Sequence, residues 1–134
     1  MGMVQFSKYN GCRNDFICFD CRYNDIDLEQ LALKICPRDS GIGADGVIGV
    51  YQSSVADLKM VIVNSDGSIP EMCGNGIRCV TLFAIDNKMI EKTEEIKIQT
   101  GAGILTTSQI ADTNNIERVN NKLLEYSKII TMTH

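Results

Sequence analysis

The stretch with the most chemical content is a cysteine followed by glycine-rich residues, ahead of a long apolar segment. Cys73 precedes Gly74, Asn75 and Gly76, and the apolar residues beyond them predict a helix that starts at this point. The unpaired N–H groups and the dipole of a helix start favour negative charge, so the Cys73 thiol should ionise more readily than a free cysteine, whose pKa is about 8.5. The two glycines leave room for a ligand carboxylate to approach the backbone N–H groups, with the Asn75 amide beside it.

A strand and a turn lead into this stretch. Leu58, Met60 and Ile62 alternate with the residues between them, which is the period of a strand with a buried face. The pair Asp66-Gly67 then predicts a turn. The sequence therefore places a strand, a turn and a helix start in succession around the cysteine.

Three ordered motifs carry a family resemblance. The segments N-x-D-G-S and M-C-G-N-G-x-R-C between Asn64 and Cys79 resemble the signature of the diaminopimelate epimerases, and G-C-R-N-D-F (residues 11–16) and G-I-G-A-D-G (residues 41–46) resemble the family in the same order. The resemblance spans roughly residues 4–108. It implies an α/β (α+β) fold, with mostly antiparallel strands wrapped around a central helix.

The same resemblance implies roles for particular residues. In the family two cysteines, one from each half of the protein, move the α-proton without pyridoxal phosphate or metal, and Cys73 matches the N-terminal one. Asn14 matches an asparagine that contacts the amino-acid substrate in the family, and Asn64, Gly74 and Asn75 are the further residues expected to bind that substrate. The resemblance thus implies a catalytic thiol with polar partners, and no cofactor.

The function implied is an isomerase that inverts one α-carbon of diaminopimelate, from the LL to the meso form, in lysine and peptidoglycan precursor biosynthesis. Inversion needs a base on one face and an acid on the other. A second Cys-Gly pair, which the family carries in its C-terminal half, does not occur in this sequence. Two alternatives stay open: a truncated, non-catalytic substrate-binding or partner domain, and a related racemase for another amino acid.

The N-terminal part predicts two strands, a capped helix and a glycine-rich turn. Residues 4–9 and 15–21 are apolar and aromatic, and the loop between them contains Arg13, where the family usually has glycine. Asp27 and Gln30 suit a helix cap, and Pro37 ends the helix. The turn at residues 40–46 lacks a phosphate-binding motif, so we expect a tightly packed turn that shapes the site.

Cysteine, histidine and charge counts exclude several classes of function. Cys18 and Cys21 have the spacing of a metal or redox pair, but strand alternation would put their thiols on opposite faces, and His134 is the only histidine. We therefore expect no metal site. A net charge of −4 argues against nucleic acid as a partner, and the absence of a signal-peptide core or a long apolar run predicts a cytoplasmic protein with reduced thiols and no membrane attachment.

The chain ends in a predicted hairpin and a segment of different character. Residues 96–99 and 104–108 flank Gly101-Ala102-Gly103 and read as a hairpin. Beyond residue 108 the apolar residues recur at a mainly helical spacing. We therefore divide the chain into an epimerase-like domain, residues 1–108, and a divergent or truncated tail, residues 109–134. The expected ligand is the amino acid diaminopimelate, and either a homodimer or pairing with a C-terminal half is compatible with the sequence.

Overall fold

The computed structural model describes residues 3–11, 14–70, 74–90, 95–108 and 116–125. Seven strands and two helices follow one another along these residues. The strands are β1 (Met3–Gly11), β2 (Asn14–Asp20), β3 (Gly46–Tyr51), β4 (Leu58–Asn64), β5 (Glu95–Thr100), β6 (Gly103–Ser108) and β7 (Ile116–Glu125). The helices are α1 (Leu28–Ile35), between β2 and β3, and α2 (Gly74–Asp86), between β4 and β5.

The strands form one seven-stranded sheet in the order β6-β5-β4-β3-β2-β1-β7. Four of the six neighbouring pairs are antiparallel, and the pairs β2–β3 and β4–β5 are parallel. Helix α2 contacts strands from β7 at one edge of the sheet to β6 at the other, so the sheet curves around it. This confirms the predicted α+β fold, with mostly antiparallel strands wrapped around a central helix.

The two helices cover opposite faces of the sheet and create two hydrophobic cores. Along β2, Phe16 and Cys18 lie in the core with α2, whereas Ile17 and Phe19 lie in the core with α1. This alternation is the period-2 pattern of a strand that is buried on both faces. The α2 core contains Phe83, which is fully buried and packs edge-to-face with Tyr9 at a centroid distance of 6.2 Å.

Helix α1 begins and ends at the predicted signals. The Asp27 side chain accepts a hydrogen bond from the Gln30 N–H at 3.1 Å, as an N-cap residue does. Beyond the last turn, the N–H groups of Gly43 and Ala44 donate to the carbonyls of Ile35 and Cys36 at 2.9 and 3.0 Å. The N–H groups of Gly43 and Ala44 therefore bind carbonyls at the end of α1, which confirms the predicted packed turn. These two N–H groups are not available to bind a phosphate.

The apolar spacing of the tail favoured a helix, and this prediction is wrong, because residues 116–125 form strand β7. This strand pairs antiparallel with β1 along its whole length, from Met3 opposite Glu125 to Gly11 opposite Ile116, with a register shift between Lys8 and Tyr9. An open β1 edge presents a row of unpaired N–H and C=O groups, and pairing them outweighs a local apolar spacing. The structure thus extends the sheet beyond residue 108, into the segment set apart as a tail.

Cys18 and Cys21 confirm the expectation that their thiols face opposite sides. Cys18 lies in the core with α2, and Cys21 lies in the core with α1. In the described part of the chain, no three or more histidine, cysteine, aspartate or glutamate side chains are grouped so as to hold a metal ion. Neither of the two described helices is both long and apolar enough to cross a bilayer.

Candidate active site

Two of the predicted substrate-binding residues lie at the same end of the sheet. Asn14 is the first residue of β2, and Asn64 is the last residue of β4. Between them runs β3, whose first residue, Gly46, pairs with Phe16 on one side and with Asn64 on the other. Residues that are 50 positions apart in the sequence therefore lie at the same end of the sheet, with β3 between their strands.

Strand alternation also puts both asparagines on the α2 side of the sheet. Asn14 has the same parity along β2 as Phe16, and Asn64 has the same parity along β4 as Met60 and Ile62. Phe16, Met60 and Ile62 all lie in the core formed with α2, and residues two apart in a strand share a face. Both asparagines are half-buried, which is suited to side chains that meet a ligand at the rim of a core.

A glycine is required between the two asparagines because the neighbouring strands approach it closely. A Cβ atom at Gly46 would lie 2.8 Å from the carbonyl oxygen of Val63 and 3.2 Å from the Phe16 ring. Both distances are shorter than an ordinary van der Waals contact of about 3.5–4.0 Å. Gly46, the last glycine of the G-I-G-A-D-G motif, thereby lets β2, β3 and β4 pack closely at this end of the sheet.

Two aspartates next to the site hold its strands together. The Asp15 N–H donates to Asp45 Oδ2 at 2.9 Å, and the Asp45 N–H donates to the Asp15 carbonyl and to Asp15 Oδ1 at 2.9 and 3.1 Å. The Asp45 carbonyl in turn accepts from the Ser65 N–H at 2.9 Å. Asp45 therefore ties the residue after Asn14 to the residue after Asn64.

Positive side chains neutralise this pair of carboxylates. Arg38 donates to Asp15 through both Nη atoms, at 2.8 and 3.1 Å, and to Asp45 Oδ1 at 3.3 Å, and Lys8 Nζ lies 3.4 Å from Asp15 Oδ2. Burial acts to raise the pKa of Asp15, but the hydrogen bonds from Arg38 and Asp45 and the nearby positive charge hold it well below its usual value. Asp15 and Arg38 carried no recognisable signal in the sequence, because they are 23 positions apart.

The start of α2 is open to solvent where the substrate carboxylate is expected. Gly74 is the exposed first residue of the helix, and a Cβ atom there would meet nothing within 4 Å. Asn75 is half-buried, and Arg78 is exposed and forms no ion pair with another residue of the described ranges. Cys73, predicted as the catalytic thiol, and Arg13 lie outside the described residues, and Cys73 immediately precedes Gly74 in the sequence.

The cysteines of the described ranges have the properties of core residues. Cys18, Cys21, Cys36 and Cys79 are all buried, with exposed fractions of 5% or less. Burial raises the pKa of Cys21 to about 12 and that of Cys36 to about 11, and it raises the pKa of Cys18 well above its usual value. Thiols that stay protonated in an apolar core are poor bases, so these three cysteines are not candidates for the proton transfer.

A cavity of about 320 Å³ lies between β4 and the turn that follows β5. It is lined by residues 59–62 of β4, residues 69–70, and residues 99–101 at the turn between β5 and β6. None of the four predicted site residues that lie in the described ranges, Asn14, Asn64, Gly74 and Asn75, lines it. Strand β4 pairs with β5 only at Leu58 and Lys59, opposite Ile98 and Gln99. The cavity lies where the two strands separate beyond these pairs.

Solved structures with the same fold come from several isomerase and biosynthetic proteins. A phenazine biosynthesis protein of the PhzF family from Bacillus anthracis superposes with a TM-score of 0.63 at 20% identity, over 81% of this chain and 36% of that one. A hydroxyproline epimerase from Agrobacterium vitis superposes with a TM-score of 0.58 at 20% identity, over 79% of this chain and 38% of that one. The chain therefore has the fold class that these proteins share.

Sequence comparison identifies the family within this class. The sequence model of diaminopimelate epimerase matches residues 6–122. Diaminopimelate epimerase from Prochlorococcus marinus (strain NATL1A) is 47% identical over 122 residues, 86% of this chain and 42% of that protein. The same enzyme from Elusimicrobium minutum (strain Pei191) is 47% identical over 110 residues, 81% of this chain and 39% of that protein. The chain belongs to the diaminopimelate epimerase family and spans about two fifths of the length of these relatives.

Proposed function

We propose that this chain forms one wall of the active site of a diaminopimelate epimerase, with Cys73 as the acid and base on one face of the substrate. The observation that carries the proposal is the position of Asn14 and Asn64 at one end of the sheet, on the side of α2, the helix that begins directly after Cys73 in the sequence. The 47% identity to relatives named diaminopimelate epimerase supports the same substrate.

The proposed reaction is a proton transfer at the α-carbon. The Cys73 thiolate removes the α-proton from one isomer and becomes a thiol, and the electron pair moves into the substrate carboxylate as an enediolate. N–H groups at the start of α2, beside Gly74 and Asn75, stabilise the added negative charge. A second acid, supplied by a C-terminal half, returns a proton on the opposite face, so that the stereocentre is inverted without pyridoxal phosphate or metal.

The polar groups at the unreactive end of the substrate meet the remaining predicted residues. Asn14 and Asn64 supply amide groups that hold one amino or carboxylate group each, and Asp45 keeps their strands in register through its bonds to Asp15 and Ser65. We propose that the chain acts in lysine and peptidoglycan precursor synthesis. We place it in the cytoplasm because the proposed chemistry requires a reduced thiol.

The test is isotope exchange at the α-carbon in heavy water. The folded chain, alone and mixed with the separately produced C-terminal half of the Prochlorococcus marinus relative, is incubated with LL-diaminopimelate while the α-proton signal is followed by NMR. We expect the α-proton signal to be lost with the mixture. The signal should be retained when the mixture contains the Cys73→Ser variant. Cys21→Ala is the matched control, because it removes a buried thiol from the other face of the sheet.

The thiol itself can be tested without turnover. Alkylation of Cys73 by iodoacetamide, followed by mass spectrometry across a pH series, should report a pKa below the value of about 8.5 for a free cysteine. A pKa at or above that value would argue against the helix-start thiolate.

A second candidate function is a non-catalytic substrate-binding or partner domain. The half-buried side chains of Asn14 and Asn64, at one end of the sheet, could hold a substrate without any proton transfer. Binding of diaminopimelate without α-proton exchange, in the presence of the C-terminal half, would select this function over the first.

A further inference from the structure

The turn that follows β4 holds the side chain of Asn64 in a short chain of hydrogen bonds. The Asn64 N–H donates to the Ser68 carbonyl at 2.8 Å, and the Gly67 N–H donates to the Asn64 carbonyl at 2.9 Å, which closes the turn. Within it, Ser68 donates its N–H and its hydroxyl to Asp66 Oδ1, at 2.9 and 2.6 Å. Asn64 Nδ2 lies 3.1 Å from the Ser68 Oγ.

The number of protons in this chain of bonds determines which way the Asn64 amide faces. An ionised carboxylate only accepts hydrogen bonds, so the single hydroxyl proton of Ser68 must point to Asp66. The Ser68 oxygen is then left with lone pairs alone towards Asn64. The amide atom that faces it must be a donor, Nδ2, because the carbonyl oxygen Oδ1 would meet a lone pair. The Asn64 Oδ1 is therefore turned away from Ser68.

We propose that Ser68 and Asp66 are positioning residues that fix the Asn64 amide with Oδ1 presented as an acceptor for an ammonium group of the substrate. An amide oxygen accepts hydrogen bonds and an ammonium group only donates them, so this orientation selects an amino group rather than a carboxylate at that atom. The ammonium group is the one at the stereocentre that does not react. The assignment of the ligand rests on the proposed function, whereas the amide orientation rests on the turn alone.

Asp66 is able to hold this orientation at neutral pH. It is exposed, and the hydrogen bonds from the Ser68 hydroxyl and N–H lower its pKa below its usual value. The carboxylate therefore stays ionised, and the Ser68 proton stays directed towards it. The contacts of Asp66 are those of the turn residue predicted from the sequence.

Three variants separate positioning from a merely structural role. Ser68→Ala removes the acceptor for Asn64 Nδ2, and Ser68→Thr keeps the hydroxyl. Ser53→Ala is the matched control, because the Ser53 hydroxyl also organises a surface turn, accepting from the N–H groups of Val55 and Ala56 and donating to Gln99. It removes a comparable set of bonds away from Asn64.

The first readout is the side-chain amide of Asn64 in the ¹⁵N-labelled chain, which needs no ligand. We expect one Nδ2 proton to exchange slowly with water and to show a nuclear Overhauser contact to Ser68. Both signs should be lost in Ser68→Ala, restored in Ser68→Thr and unchanged in Ser53→Ala. A slow-exchanging proton that persists in Ser68→Ala would overturn the proposed orientation.

The second readout is affinity for three ligands, measured by titration calorimetry on the chain mixed with the C-terminal half described above. Diaminopimelate and lysine both carry the second ammonium group, and 2-aminopimelate lacks it. We expect Ser68→Ala to weaken binding of the first two roughly tenfold, the loss of one hydrogen bond to a charged group, and to leave 2-aminopimelate within about twofold of the unmodified chain.

Equal weakening of all three ligands would overturn the ammonium assignment and indicate a general effect on the site. Binding of none of the three by the unmodified chain mixed with the C-terminal half would count against the proposed function and the ammonium assignment together. The amide orientation would still be decided by the NMR signals, so failure of the proposed function can be told apart from failure of the positioning role.

Discussion

Replacing Gly46 by alanine is the most direct test of how the site end of the sheet is built. The new Cβ would lie 2.8 Å from the backbone carbonyl of Val63 and 3.2–3.3 Å from two atoms of the Phe16 ring. The carbonyl belongs to the neighbouring strand and cannot rotate away, so β3 and β4 must separate. Overpacking of this kind costs about 1–3 kcal/mol of the free energy of unfolding.

A matched substitution elsewhere removes the steric term. At Gly74 a Cβ would meet nothing within 4 Å, so Gly74→Ala adds the same methyl group without a clash. Glycine in the middle of a helix is less favourable than alanine by roughly 0.5–1 kcal/mol, and Gly74 is the first residue of α2, so this control should leave stability unchanged or increase it by less than that amount. The difference between the two variants then reports the packing at Gly46.

Urea denaturation followed by circular dichroism measures both free energies under a two-state analysis. We expect Gly46→Ala to lower the midpoint with an unchanged slope, and to lower the melting temperature by roughly 3–5 °C per kcal/mol for a domain of this size. Equal midpoints for Gly46→Ala and Gly74→Ala would refute the argument that close strand packing requires a glycine there.

Three further substitutions test a charged cluster and a buried pair of hydroxyl groups. Asp15 has a lowered pKa, so its contribution to stability is present above the pKa of the unfolded chain, about 3.9, and is lost as the pH falls through the lower folded value. Acid titration of the melting temperature should therefore show a smaller loss in Asp15→Asn than in the unmodified chain. The Thr81 hydroxyl donates to the Ile77 carbonyl at 2.9 Å and lies 2.8 Å from that of Thr107, which must then be the donor. Thr81→Val leaves the buried Thr107 hydroxyl without its acceptor and should lower the free energy of unfolding by about 1–3 kcal/mol. Thr107→Val leaves the bond from Thr81 to Ile77 intact and should lower it by less than about 1 kcal/mol. Urea denaturation measures both changes, and the reverse order would contradict the assigned donor.

Much of the fold could be predicted because its signals are local. The cap at Asp27 and the stop at Pro37 lie within a few residues of the helix they bound, and the helix starts at Leu28 and ends at Ile35. The hairpin of β5 and β6 depends on a turn at residues 101–102, and it pairs from Thr100 opposite Gly103 outwards. Propensity and turn chemistry act over these short separations, so the sequence displays them.

The strand order and the fate of the tail could not be predicted in the same way. Spacing alone favoured a helix for residues 116–125, but β1 offers an open edge and the segment pairs with it. Similarly, no local signal shows that β2 lies parallel to β3, with Phe16 opposite Gly46. Such pairings depend on which edge remains unsatisfied once the other strands are in place.

The candidate site divides along the same line. The sequence by itself determined the residues with chemical content, Cys73 ahead of a helix start and Asn14 and Asn64 beside turns, because motif and element boundaries are written in consecutive residues. Only the tertiary structure decided that both asparagines share one end and one face of the sheet, and that Asp15 and Asp45, 30 positions apart, bind each other there. Contacts across such separations arise from the register of paired strands, which is set by the side chains that neighbouring strands bury together and not by any segment alone.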